Sequence, residues 1–203
     1  MLNFSNAGGI MNKYLLKKYE KIGAVFTFLA AVVLHFSYEW SDGALWSILF
    51  GAVNESVWEH VKIITMPYFV WSVIEFCVCK PSFRRFFVSK IAGLYFLGGA
   101  IIGFFYLYTS VIGKSIVIVD ICSTFVWICA AYVVSYKLYT GKGLVEMWFS
   151  PALFMLVLFM AMYFSFTVCP PKFELFRDPV TNQYGIIPSH IDTGAFYMDM
   201  LNT

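Results

Sequence analysis

The 203-residue chain is 60% hydrophobic and 20% aromatic but only 13% charged, against roughly 25% charged residues in an ordinary soluble domain. Its mean hydropathy is +0.74 and its formal net charge only +2. A water-soluble globule is therefore excluded for want of polar surface, and the absence of any long basic run argues against nucleic-acid binding. The expected fold is an all-α integral membrane bundle with the lipid bilayer as its main partner.

In chain order, residues 1–21 read as a cytoplasmic N-terminal segment. Met1–Met11 is neither basic nor continuously apolar, so a cleaved signal peptide is not expected. Crossing the hydrocarbon core takes roughly 17 to 25 mostly apolar residues. Runs at Ile22–Tyr38, Ile63–Cys79, Ile91–Tyr108, Ser115–Tyr136 and Met147–Val168 meet that need, giving a transmembrane bundle over 22–168. The shorter run Ala44–Val53 reaches about 15 Å as a helix, half of the core. It reads as an interfacial helix, a re-entrant piece or an early part of the second span, and not as a crossing. Pro170-Pro171 stops the last helix, and residues 169–203 form an extracytoplasmic tail rich in turn formers over Asp178–Gly185.

Charge placement sets the expected orientation. Lys13, Lys17, Lys18 and Lys21 precede the first span; Lys80, Arg84, Arg85 and Lys90 lie between the second and third; Lys137 and Lys142 lie between the fourth and fifth. With five crossings all three groups fall on one side, so the positive-inside rule puts the N-terminus in the cytoplasm of a plasma membrane and the C-terminus outside. The cysteines Cys77, Cys79, Cys122, Cys129 and Cys169 lack C-x-x-C spacing and read as buried apolar thiols. Gly99-Ala100-Ile101-Ile102-Gly103 is a small-xxx-small motif suited to close helix packing, within the chain or in a homodimer.

That orientation gathers ionisable residues at the outer ends of the spans. His35 and Glu39, at i and i+4, close the first span. Asn54-Glu55-Ser56-Val57-Trp58-Glu59-His60-Val61-Lys62 opens the second, and Asp120 sits early in the fourth. If Glu55–Lys62 is helical, Glu55, Glu59 and Lys62 share one face, with Ser56 and His60 on the adjacent stripe. Histidines with carboxylates suit a divalent metal such as zinc with water in an open position; His35, Glu39, His60 and Asp120 are the candidate ligands. A glutamate beside a histidine can exchange protons, which makes Glu55, Glu59 and His60 the candidate catalytic groups. Asn54, Ser56, Trp58, Lys62, Asp178 and Tyr184 are candidate binding residues. Plainer roles stand beside these: Asn54 as a helix N-cap, Glu59–Lys62 as an ion pair on an interfacial turn, His35 as an interhelical hydrogen-bonding group, Asp120 as a partner of Lys62 or a tyrosine, and Glu75 as a snorkelling residue at the inner interface.

The stretch Asn54–Lys62 resembles the N-E-S-x-W-E-H-x-K signature of small uncharacterised bacterial membrane proteins. The segment Asp178-Pro179-Val180-Thr181-Asn182-Gln183-Tyr184-Gly185-Ile186 resembles their closing D-P-x-T-x-x-Y-G-I element. The resemblance implies a polytopic protein, commonest in Gram-positive bacteria, with no activity to carry over, and it adds weight to Asn54, Glu55, Trp58, Glu59, His60, Asp178 and Tyr184. A fold-level analogy also exists to membrane hydrolases that include alkaline ceramidases, with Ser56, His35, His60, His190 and Asp120 in the metal-site parts; those proteins have about seven spans and a late H-x-x-x-H pair that this chain lacks. Three functions are consistent with the sequence: a metal-dependent hydrolase of a lipid or lipid-linked substrate, a transporter or binding protein for a small solute, ion or proton, and a structural or partner-binding membrane protein.

Overall fold

The computed structural model describes residues 4–187, with side chains from Lys13 onward. His190 lies outside the described residues. The helices are α1 (Phe4–Trp40), α2 (Leu45–Phe50), α3 (Val57–Cys79), α4 (Phe83–Ile112), α5 (Val117–Thr140) and α6 (Phe149–Val168), with short 3-10 turns at Val145–Trp148 and Glu174–Phe176. Among the described residues, five helical stretches are long and apolar enough to cross a membrane: Lys13–Trp40, Val57–Cys79, Phe83–Ile112, Val117–Thr140 and Val145–Val168. The protein is an all-α membrane bundle, and α2, at six residues, is far too short to span. The only β pairing among the described residues is an isolated bridge between Arg177 and Tyr184.

The helices extend well past the apolar runs. Backbone hydrogen bonding continues as long as it is satisfied within the helix, so the polar flanks Lys13–Lys21, Val57–Lys62 and Phe83–Lys90 are helical too. Most of the charges flanking the runs, among them Lys13, Lys21, Arg84, Arg85, Lys90 and Lys137, therefore sit on helices, while Lys80 and Lys142 lie outside them.

The chain forms two compact units. Unit 1 comprises residues 1–29 and 67–157; unit 2 comprises 30–66 and 158–203. In unit 1, Leu16, Cys79 and Phe86 form a buried cluster against Tyr19, Phe76, Tyr136 and Tyr139. Gly23 is needed where α1 meets α3 and α5, because a Cβ there would collide with the Trp71 ring. Arg85 on α4 ties down the end of α5, donating to the carbonyl oxygens of Tyr139 and Gly141 and pairing with Glu146 at 3.1 Å. No described atom lies within 4 Å of a Cβ placed at Gly99 or Gly103, so close packing among the described residues is not what these glycines serve.

Candidate metal centre at the start of α3

Unit 2 builds its site from the last turns of α1, the loop Gly51–Ser56, the first turns of α3 and the tail. The loop is pressed onto α1: the Ala52 N–H donates to the Leu34 carbonyl at 3.3 Å, and a side chain at Gly51 would collide with the Ser37 hydroxyl. Ser56 then starts α3. Its Oγ accepts from the Glu59 N–H at 3.4 Å, as an N-cap serine does, while the Glu59 carboxylate takes the Val53 N–H in place of the Ser56 N–H of a full capping box. Asn54 stands ahead of the cap instead of being it. Its Oδ1 accepts from the Ser56 N–H at 2.8 Å, closing an Asx turn, while its Nδ2 donates to the Gly185 carbonyl at 2.8 Å. Because the cap falls at Ser56, Glu55 precedes the helix and does not share a face with Glu59 and Lys62.

Glu59 and Lys62 form the buried floor. They are 2% and 1% exposed, with Lys62 Nζ 2.6 Å from Glu59 Oε2. The same oxygen accepts from the Val53 N–H at 3.1 Å, and Lys62 also donates to Thr167 Oγ1 at 3.1 Å. One positive and one negative charge cancel, with donors and acceptors supplied, which is the condition for tolerating ions in an apolar interior. The pair thereby fastens the loop to α3 and α6. Trp58 packs against both Phe166 and Phe176, with ring centroids 5.4 and 5.3 Å away, and those two rings meet each other at 5.1 Å, so this aromatic trio anchors the tail.

The tail is pinned by Asp178. Its Oδ1 accepts from the Glu55 N–H at 3.0 Å, and its Oδ2 accepts from the N–H and hydroxyl of Thr181 at 2.6 and 2.5 Å. The Tyr38 hydroxyl donates to the Ile187 carbonyl at 2.8 Å. Tyr184 takes part through its bridge to Arg177. Glu174, 2.5 Å from Arg177 Nη2, holds that guanidinium pKa above its ordinary value.

This scaffold leaves three side chains converging. His35 from α1, Glu55 from the loop and His60 from α3 offer ligand atoms within 4.8 Å of one another. His35 Nε2 is 3.9 Å from Glu55 Oε1, and His60 Nε2 is 3.6 Å from Glu55 Oε2; the imidazole centroids are 5.2 Å apart. These separations are too long for hydrogen bonds. Ligand atoms about 2.1 Å from a tetrahedral ion lie about 3.4 Å from each other. His60 Nδ1 is 2.9 Å from the Ser56 carbonyl, a contact that places the proton on Nδ1 and leaves the Nε2 lone pair facing Glu55. The three side chains remain 26 to 43% exposed. Beside them lies a cavity of about 80 Å³ whose lining includes His35, Glu39, Asn54, Glu55, Asp178 and Thr181.

Of the residues singled out from sequence, His35, Glu39, Asn54, Glu55 and Asp178 line this one cavity, with His60 adjoining through Glu55. Ser56, Trp58, Glu59 and Lys62 form its support. Asp120 belongs to unit 1, where it accepts from the Tyr108 hydroxyl at 2.5 Å while that hydroxyl accepts from the Ile116 N–H at 3.1 Å; its partner is a tyrosine and Lys62 has Glu59. The sequence placed Glu55 with the catalytic groups and not with the candidate ligands, gave Thr181 no role beyond its place in the D-P-x-T element, and left Thr167 unmarked. The S-x-x-E pattern at Ser56–Glu59 was the signal that could have placed Glu55 in the loop facing α1.

No curated protein and no solved structure matches the chain. A family match covers residues 10–186, which takes in both the Asn54–Lys62 stretch and the Asp178–Ile186 element. The chain belongs to DUF6512, a family of unknown function.

Proposed function

We propose that the protein is a metal-dependent hydrolase of the plasma membrane of a bacterium, acting on a lipid or lipid-linked substrate at the outer interface. The observation that carries this reading is the His35–Glu55–His60 constellation. Two imidazoles and one carboxylate leave a fourth position open, the pattern of catalytic zinc sites and not of closed structural ones. A divalent ion held there would supply Lewis acidity and a more acidic water.

The chain's own groups would do the rest. Ser56 orients His60 through its carbonyl. Glu39, which lines the same cavity, would accept the proton from the attacking water and return it to the leaving oxygen. The tail strapped by Asp178 would limit access. With the N-terminus in the cytoplasm, the end of α1 and the start of α3 fall at the outer interface, where a headgroup can enter.

Metal content of the purified protein tests the reading, with His60→Ala and Glu55→Gln beside wild type. Metal bound by wild type and lost from both variants supports it; wild-type protein without metal after exposure to zinc, manganese and iron salts would remove it. A small-solute, ion or proton transporter is the second reading, favoured by the ionisable residues buried within the helices of unit 1. Ion- or proton-dependent uptake into vesicles, unaffected by Glu55→Gln, would select it.

A further inference from the structure

Unit 1 carries a second ionic cluster, built by four helices. Glu20 on α1, Glu75 on α3 and Lys90 on α4 are 5%, 0% and 4% exposed, and all three lie within membrane-length helices. Lys90 Nζ donates to Glu20 Oε2 at 2.9 Å and is also in ion-pair contact with Glu75 Oε2. Ser135 on α5 donates to Glu20, 3.0 and 3.2 Å from its two oxygens. Aromatic faces enclose the ammonium: the Tyr132, Phe86 and Tyr68 centroids are 4.8, 5.4 and 5.6 Å from Nζ. The titratable and charged groups facing the cluster are thus Glu20 of α1, Tyr68, Glu75 and Cys79 of α3, Lys90 of α4 and Tyr132 of α5.

The charges do not cancel. Two carboxylates face one ammonium, so a fully ionised cluster would keep a net negative charge in a low-dielectric interior, which is strongly disfavoured. Hydrogen bonding points the same way. Beyond the Lys90 contact on Oε2, no hydrogen bond of good geometry reaches either buried Glu75 oxygen among the described residues. An ionised carboxylate can only accept, whereas a protonated one also donates. A second full cation would meet the ammonium already seated between the carboxylates; a proton joins a carboxyl group and adds no separate ion. A cavity of about 210 Å³, lined by Lys90, Tyr68 and Ser72 among apolar side chains such as Phe76, Phe86 and Leu94, borders the cluster on the Lys90 side.

We propose that Glu20, Glu75 and Lys90 form a proton-binding site within the membrane-spanning helices, with Lys90 paired to Glu20 and one exchangeable proton carried by Glu75. Binding adds one proton to one carboxylate oxygen and takes the cluster from a net negative charge to neutrality; no other bond changes. The site stands apart from the metal reading of unit 2, and either can fail alone.

Infrared difference spectroscopy of the full-length protein in lipid nanodiscs tests it through the C=O stretch of a protonated, deuterium-exchangeable carboxyl group. Wild type shows the band at neutral pH. Glu75→Gln removes it by removing the acid. Glu20→Gln also removes it, because Lys90 then faces a single carboxylate and Glu75 ionises. Lys90→Met leaves two acids without a counter-ion, and the band about doubles. Should Lys90→Met not fold, the two glutamine variants, each leaving one carboxylate against one ammonium, carry the test. A band unchanged in Glu75→Gln, or no band in wild type, overturns the proposal. So does retention of the band in Glu20→Gln, which would mean that Glu75 holds its proton regardless of the charge count. Sodium-dependent loss of the band in wild type would reassign the site to a monovalent cation.

Discussion

In unit 2, Lys62 faces one carboxylate, Glu59; in unit 1, Lys90 faces two, Glu20 and Glu75. Both lysines are nearly inaccessible. The surroundings of the first are complete, since Glu59 takes the Val53 N–H and Lys62 reaches Thr167. Those of the second are not, since two carboxylates share one ammonium and Glu75 gains no further hydrogen bond of good geometry among the described residues. A balanced buried pair serves as a rigid joint, here fixing the loop that presents Glu55. An unbalanced one must take up something to become neutral. The same residue types thus make a support in one unit and a candidate binding site in the other, and charge count decides which.

The largest effects should come from removing either lysine. Lys90→Met leaves two carboxylates without their counter-ion, and Lys62→Met leaves Glu59 alone; breaking a buried pair costs about 3–5 kcal/mol, read as unfolding in mild detergent. The comparison predicts opposite responses to a compensating change. Glu59→Gln is itself destabilising, because it breaks a matched pair, whereas Glu75→Gln leaves Glu20 with Lys90 and is tolerated. Equal losses from the two glutamine variants would contradict the difference drawn between the units.

Smaller effects should trace the support of the metal centre. Asp178→Ala frees the Glu55 N–H and Thr181 together, at about 1–3 kcal/mol for the donors left unpaired; limited proteolysis of the tail should quicken and metal affinity should fall. Ser56→Ala removes the cap of α3, at about 1 kcal/mol, seen as a lower melting temperature with metal binding retained. Acidification should release metal, because protonated imidazole is not a ligand; occupancy that holds constant as the pH is lowered through the histidine range would point away from His35 and His60.

Most of the membrane architecture was readable from hydrophobic runs, since hydrocarbon demands a minimum length of apolar helix. The pairing of His35 with Glu39 on one face and the proximity of the Asp178 element to Asn54–Lys62 could be anticipated in outline. Other features were hidden for definite reasons. Lys90 flanks an apolar run and read as a charge between spans, and Glu20 was not singled out, yet their helices continue and bury both. Glu75 read as a snorkelling residue because a lone acid near a span end can reach water; Lys90, brought in by α4, is what holds it inside. Thr167 is one of several hydroxyl residues in an apolar helix, and nothing local marks it as the partner of a lysine 105 residues away. Glu55 lies ahead of the helix because Ser56, and not Asn54, caps it, and the Asn54 amide goes instead to the Gly185 carbonyl of the distant tail.

The central claim is that His35, Glu55 and His60 hold a divalent ion. Elemental analysis of the purified protein after metal loading and exhaustive dialysis tests it most directly. The account predicts one tightly held ion per chain in wild type, lost in His35→Ala, Glu55→Gln and His60→Ala but kept in Glu75→Gln. Stoichiometric metal persisting in all three site variants, or none in wild type, would contradict it.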